Sequence, residues 1–219
     1  QLNLNSDYAE ASFTGTTSYA DLGSYMKSAM RKYLPNLATE KDFYIYDEDE
    51  QGGYSALSIN VKDIDPLLDA VANGVHIAKG STLNFTMNPI TNHLLLRAES
   101  EYVELNNTLI ANVDIDVSNQ GDSLAMYVMS EDLYMGAIHL PQLAILGGAK
   151  NNRGVMSAGF NDKEKKLDGG ISMMAHLRRV APDNKPQVDV YISPSTITTG
   201  NKQWRITSDG LTIDSARIE

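Results

Sequence analysis

The chain has 219 residues, is 42% hydrophobic, and carries a net charge of −10 with a pI near 4.8. That balance argues against nucleic acid and against a polybasic membrane-surface patch, because both need clustered Lys and Arg. The absence of cysteine excludes a disulfide framework, thiolate zinc sites and cysteine nucleophiles, and leaves the redox compartment open.

Residues 1–17 read as a short strand, with Ala9, Ala11 and Phe13 alternating against Glu10, Ser12 and Thr14. From Asp21 as N-cap, Leu22, Tyr25, Met26, Ala29 and Tyr33 recur at three- and four-residue spacing, which predicts an amphipathic helix stopped by Pro35. Residues 44–46 read as a strand before the acidic turn 47–50 and Gly52-Gly53, after which Leu57, Ile59 and Val61 resume the alternation. Asp65-Pro66 opens a second helix, with Asp as cap, Leu67, Leu68 and Val71 turned inward, and Gly74 past the end.

Beyond Lys79-Gly80 the pattern is almost wholly β. Strands are predicted at 83–87, 94–98, 109–117, 124–128, the partly two-sided run 137–149, 155–160, 171–177, 188–192, 203–206 and 211–213. Turn residues such as Asn106-Asn107 and Gln120-Gly121-Asp122 join them into an antiparallel meander. The clearest strand sets Leu109, Ala111, Val113, Ile115 and Val117 against Thr108, Asn112, Asp114, Asp116 and Ser118. A sheet so one-sided needs something over its apolar face. A single domain would close it into a sandwich or barrel; its aliphatic inward positions suit acyl chains equally well.

Catalytic and metal signatures are weak throughout. His76, His93, His139 and His176 lie far apart, and none stands in a His-x-x-x-His frame. The run Asp47-Glu48-Asp49-Glu50 and the pair Asp114 and Asp116 lack calcium-loop spacing and read as a solvated turn and strand edge. No serine occupies a Gly-x-Ser-x-Gly elbow, and Lys79-Gly80-Ser81-Thr82 lacks the residue order of a phosphate-cradling loop. No catalytic residue, metal site or cofactor is therefore expected, and the chain reads as a non-enzyme. Met87, Met126, Met129, Met135, Met156, Met173 and Met174 fall in predicted strands, where thioethers fill core gaps or adapt to irregular apolar guests. Lys163-Glu164-Lys165-Lys166 and Arg178-Arg179 read as turn and strand-end solvation. No run reaches the roughly 18 to 20 apolar residues of a membrane span, and Gln1 begins without signal-peptide character. With Ile218-Glu219 inside a predicted strand, the chain reads as a segment of something longer, with any anchor outside it.

The stretch from Val188 through Ser193-Pro194-Ser195 and Trp204 to Ile206, followed by Leu211 to Ile218, resembles the C-terminal region of TamB-like, AsmA-related translocation and assembly proteins of the Bacteroidetes type. Ala216 stands where glycine is common in that pattern. Two further passages resemble the same family: residues 25–37 with Tyr33-Leu34-Pro35, and Ile64-Asp65-Pro66 through Gly80-Ser81. The resemblance implies a β-taco, or repeating β-groove: a long antiparallel sheet curled into an open apolar trough, with two short helices in the first third. Residues 1–80 would lead in, and 81–219 would form the groove. It implies a length of a periplasmic, inner-membrane-anchored bridge that carries phospholipid acyl chains between membranes or assists outer-membrane protein assembly. The implied partner is an Omp85-type barrel, TamA or BamA-like. On that reading the lining is Leu83, Phe85, Met87, Leu94, Leu96, Leu109, Ala111, Val113, Ile115, Val117, Met126, Ile171, Met173, Ala175, Val188, Val190, Ile192 and Ile206. The bend is expected where parity shifts between Ala98 and Leu105. The alternative is a closed β-sandwich interaction or carbohydrate-binding module with no lipid role.

Overall fold

The structure, a computed structural model, describes residues 1–16, 30–36, 53–72, 74–88, 91–162, 166–181, 185–207 and 210–213. The predicted strand at 44–46, the acidic turn at 47–50, the start of the Asp21 helix, residues 163–165 and the C-terminal 214–219 lie outside them.

Among the described residues, fifteen strands form one antiparallel sheet. The predicted strand at 1–17 is a hairpin of β1 (Leu2–Asn5) and β2 (Ala9–Gly15), and β2 pairs with β3 (Ser55–Val61). Helix α1 (Asp65–Val71) and the short β4 (Val75–Ile77) precede β5 (Thr82–Asn88), which pairs directly with β3. Four strands of 13 residues follow: β6 (His93–Leu105), β7 (Thr108–Gln120), β8 (Ser123–Met135) and β9 (Ile138–Lys150). With β10 (Arg153–Asp162), their first residues stand 15 apart, at 93, 108, 123, 138 and 153. Two-residue turns set that spacing. Asn106, Gly121 and Gly136 adopt φ of 55°, 61° and 59°, and Asn151 and Asn152 adopt 50° and 62°. Positive φ there lets a two-residue hairpin follow the right-handed twist of its strands. The sheet continues through β11 (Leu167–Val180), β12 (Lys185–Ile192), β13 (Ser195–Thr199), β14 (Lys202–Ile206) and β15 (Gly210–Ile213). The path from β1 to β15 never returns on itself, so the meander is open and no barrel forms.

A crease divides the long strands. The ladder omits Glu101, Asn112, Glu131 and Gln142, one position on each of β6 to β9. Asn112 and Gln142 sit at φ 51° and 49°, and a left-handed residue inside a strand redirects the chain. On the alternate strands, the Ser100 hydroxyl donates to the Tyr102 carbonyl at 2.6 Å, and Ser130 reaches the carbonyls of Ala111 and Asp132 at 2.7 and 2.9 Å. These serines satisfy carbonyls that the interrupted ladder leaves beside the bend. Separate short strands then serve the two walls: β5 pairs with residues 93–99 of β6 and β4 with 103–105, while β12 pairs with 173–180 of β11 and β13 with 167–169. The result is an open trough. An L-residue at positive φ costs about 1–2 kcal/mol, whereas glycine adopts that region freely. Gln142→Gly is therefore expected to stabilise the fold by about 0.5–1 kcal/mol, measured as an upward shift of the urea midpoint.

The two helices behave differently. α1 begins one residue earlier than the sequence reading, with Ile64 as N-cap, and buries no residue. The inward placement of its apolar stripe is corrected: Leu67 and Val71 are 43% and 73% exposed. A seven-residue helix whose extensive contact is with the three-residue β4 has little surface to bury against. The predicted first helix shows its last turn at 30–33, and there Tyr33 is only 1% exposed.

Candidate functional site: an apolar track

Period-2 alternation puts every second residue on the inner face, and register lines those residues up between strands. One row runs Phe13–Leu57–Phe85–Leu96–Val117–Met126–Gly147–Met156–Met173–Ile192 across β2 to β12. The neighbouring row runs Ala11–Ile59–Leu83–Ala98–Ile115–Val128–Ile145–Ala158–Ile171. No polar side chain interrupts either row. Ten strands at about 4.8 Å spacing make the first row roughly 43 Å long.

The track is filled at one end and hollow towards the other. Phe85, Met87 and Leu94, 4%, 0% and 8% exposed, form a compact cluster against Leu57, Leu83, Leu96, Val117 and Leu124. Over β8 to β11 the same face carries Gly147, Ala149, Gly154 and Ala175, and these small residues leave a groove of about 310 Å³ flanked by Leu124, Met126, Met156 and Met173. Its lining is almost wholly apolar, and its volume sits at the small end of ligand pockets. The Met126 methyl lies where a Cβ on Gly147 would stand, 2.9 Å away, so glycine there is what lets the thioether lie across the floor. Four methionines or leucines around a glycine floor give an adaptable wall without fixed polar anchors.

Residues 30–36 strap one margin of this face. The Tyr33 carbonyl accepts from the Asn152 N–H at 2.9 Å, and its hydroxyl faces Asn92 Oδ1 at 3.5 Å. Asn36 donates twice to the sheet, from its backbone to Asn152 Oδ1 at 2.7 Å and from its amide to the Leu177 carbonyl at 3.0 Å. Burial pushes the Tyr33 phenol above its ordinary value; a hydrogen bond from Asn119 opposes this, and the nearby Asp122 charge adds to it. The strap thus bridges the turns at 91–92 and 151–152 and closes the trough at that margin.

Fifteen of the eighteen residues proposed as lining share this face by parity: Leu83, Phe85, Met87, Leu94, Leu96, Val113, Ile115, Val117, Met126, Ile171, Met173, Ala175, Val188, Val190 and Ile192. Phe85, Met87, Leu94 and Val113 are consumed by packing within the protein, whereas Ile115, Val117, Met126, Ile171 and Met173 remain half-buried. Leu109 and Ala111 depart from the track. They lie beyond the left-handed Asn112, where the aliphatic row is instead Ile77–Val103–Ile110–Leu133–Leu140. Leu109 pairs with Glu104 and Tyr134, and Ala111 with Tyr102 and Asp132; there His139 stacks on Tyr134 at 4.4 Å and meets Asp132 at 2.5 Å. Ile206 sits off the main path on β14, opposite Ser195. Sequence reasoning missed Leu57, Ile59, Val128, Ile145 and Met156, although all stand in alternating runs. Gly147 and Gly154 carry no hydrophobic signal at all.

The opposite face is polar over the first half of the sheet, with Asn84, Arg97 and Asp116 in one row and an exposed Arg97–Asp116 ion pair at 3.0 Å. No helix among the described residues is long and apolar enough to cross a membrane. No family model, no curated protein and no solved structure matches the chain.

Proposed function

We propose that this chain is a length of a lipid-conducting groove, and that its inner track carries phospholipid acyl chains. The observation behind this reading is the pair of unbroken apolar rows, half-buried over β8 to β11, where a closed core would leave them fully covered. A tail exposed to water forfeits about 0.8 kcal/mol per methylene, on the order of 10 kcal/mol per chain. A track without polar anchors removes that penalty and offers no site at which a tail would stop. Together with the resemblance to TamB-like proteins, this supports a periplasmic segment of an inner-membrane-anchored bridge. In that setting its partner is an Omp85-type barrel of the TamA or BamA kind, and its work is lipid transfer or outer-membrane protein assembly.

Native mass spectrometry of the chain purified without detergent is expected to show bound phospholipid. A photocrosslinker at Ile115 should label lipid and one at Asp114, the adjacent position facing the other way, should not. Equal labelling at both positions, or a lipid-free chain, would refute the reading.

A further inference from the structure

The outer face changes character along the sheet. Over β3 to β7 it presents residues such as Ser58, Asn84 and Asp116, but from β8 onward one continuous row reads Ala125–Gly148–Val155–Met174–Tyr191. Val155, Met174 and Tyr191 are 57%, 46% and 53% exposed, and Leu146 beside them is 46% exposed. One step along the strands, on the same face, stands a second row of Lys150, Arg153 and His176, which ends at Asp189, itself held by Arg178 at 2.6 Å. Between the two rows lies a depression of about 710 Å³ over Ala125 and Gly148. Neither Lys150 nor Arg153 has a carboxylate partner among the described residues.

Charge is spread unevenly along the chain. Residues 150–207 hold ten Lys and Arg against five Asp and Glu, although the whole chain is at −10. The acidic residues beside the patch, Asp189 and Asp122, are paired with Arg178 at 2.6 Å and Lys32 at 3.7 Å, and at physiological ionic strength the Debye length of about 8 Å screens those farther away. Exposed apolar side chains with a tyrosine at their margin, bordered by unneutralised cations, match the layering of a bilayer surface: acyl boundary first, then phosphates.

We propose that the outer face of β8 to β12 docks on an anionic phospholipid bilayer. Val155, Met174 and Tyr191 enter the boundary between acyl chains and headgroups, while Lys150 and Arg153 meet lipid phosphates. This contact is independent of lipid held in the inner track, because the two surfaces are opposite faces of the sheet.

The test is flotation of the full chain with phosphatidylcholine vesicles prepared with and without phosphatidylglycerol. Binding is expected only to the anionic vesicles, and added salt should weaken it. Lys150→Glu with Arg153→Glu should reduce partitioning by at least about tenfold, since each basic residue near such a surface contributes about 1 kcal/mol. Val155→Ser with Met174→Ser should reduce it independently. All four side chains are exposed, so matching thermal melts are expected to show intact folds. Phospholipid retained by the charge-reversed chain in native mass spectrometry would separate loss of docking from loss of the inner track. Absence of vesicle binding, equal binding to both vesicle types, or binding indifferent to both double variants would overturn the proposal. So would a chain that binds no vesicles and instead forms a dimer dispersed by Met174→Asp, which would assign the patch to a second copy.

Discussion

Met173→Asp is expected to leave the sheet folded and to strip the protein of phospholipid. Met173 lies between Met156 and Ile192 on the inner row and borders the hollow over Gly147 and Gly154. It is half-buried, so a carboxylate at this position reaches water when the track is empty. An acyl chain over the same position would desolvate that charge or lift away from it. Losing contact with about three methylenes costs roughly 2.4 kcal/mol, which corresponds to about a fiftyfold weaker hold on lipid. Copurified phospholipid measured by native mass spectrometry, alongside a circular-dichroism spectrum and melt, reads both halves of the expectation. Unchanged lipid content in a folded Met173→Asp chain would remove the hollow from the proposed lipid path.

Tyr33→Ala is expected to cost about 3–5 kcal/mol, the range for removing a buried aromatic side chain. Tyr33 is 1% exposed, and its backbone and ring tie the strap to the turns at 91–92 and 151–152. Tyr33→Phe keeps the ring and loses the hydroxyl contacts, a loss of about 1 kcal/mol. The two variants separate in alkaline solution. Because burial raises the folded phenol above its unfolded value, the unfolded chain ionises first, and Tyr33 contributes stability that is full below pH ~10 and is lost as pH rises through the folded value. Urea midpoints measured across that window should fall more steeply for the parent than for Tyr33→Phe. Parallel curves would mean that the phenol is not held as the strap geometry requires.

Much of the sheet is legible in the alternation. Ile115 and Val117 fall where their parity puts them, because nothing between Val113 and Ser118 disturbs a period of two. The alternation misleads at Leu109 and Ala111. A single left-handed residue, Asn112, resets the pattern, and asparagine in a strand gives little local warning of it. On β6 the signal was visible: the parity shift expected between Ala98 and Leu105 coincides with the omitted Glu101. The strap was legible only as a helix with an apolar stripe, because its destination depends on Asn36, Asn92 and Asn152, polar residues far apart in sequence. The hollow could not be read from composition, since it arises where Gly147 and Gly154 contribute no side chain. The basic row on the outer face was hidden for a related reason. Lys150, Arg153 and His176 come from three strands, so no run of basic residues announces them.

The uniform spacing of β6 to β10, one strand and one tight hairpin every 15 residues, makes this architecture a ruler. Inserting or excising 30 residues would add or remove a strand pair, changing the span by roughly 9.6 Å. Such a change preserves both the direction of the following strand and the side on which its aliphatic residues lie. The length of the sheet can therefore be tuned in whole increments by duplication and deletion, with no redesign of either of its faces.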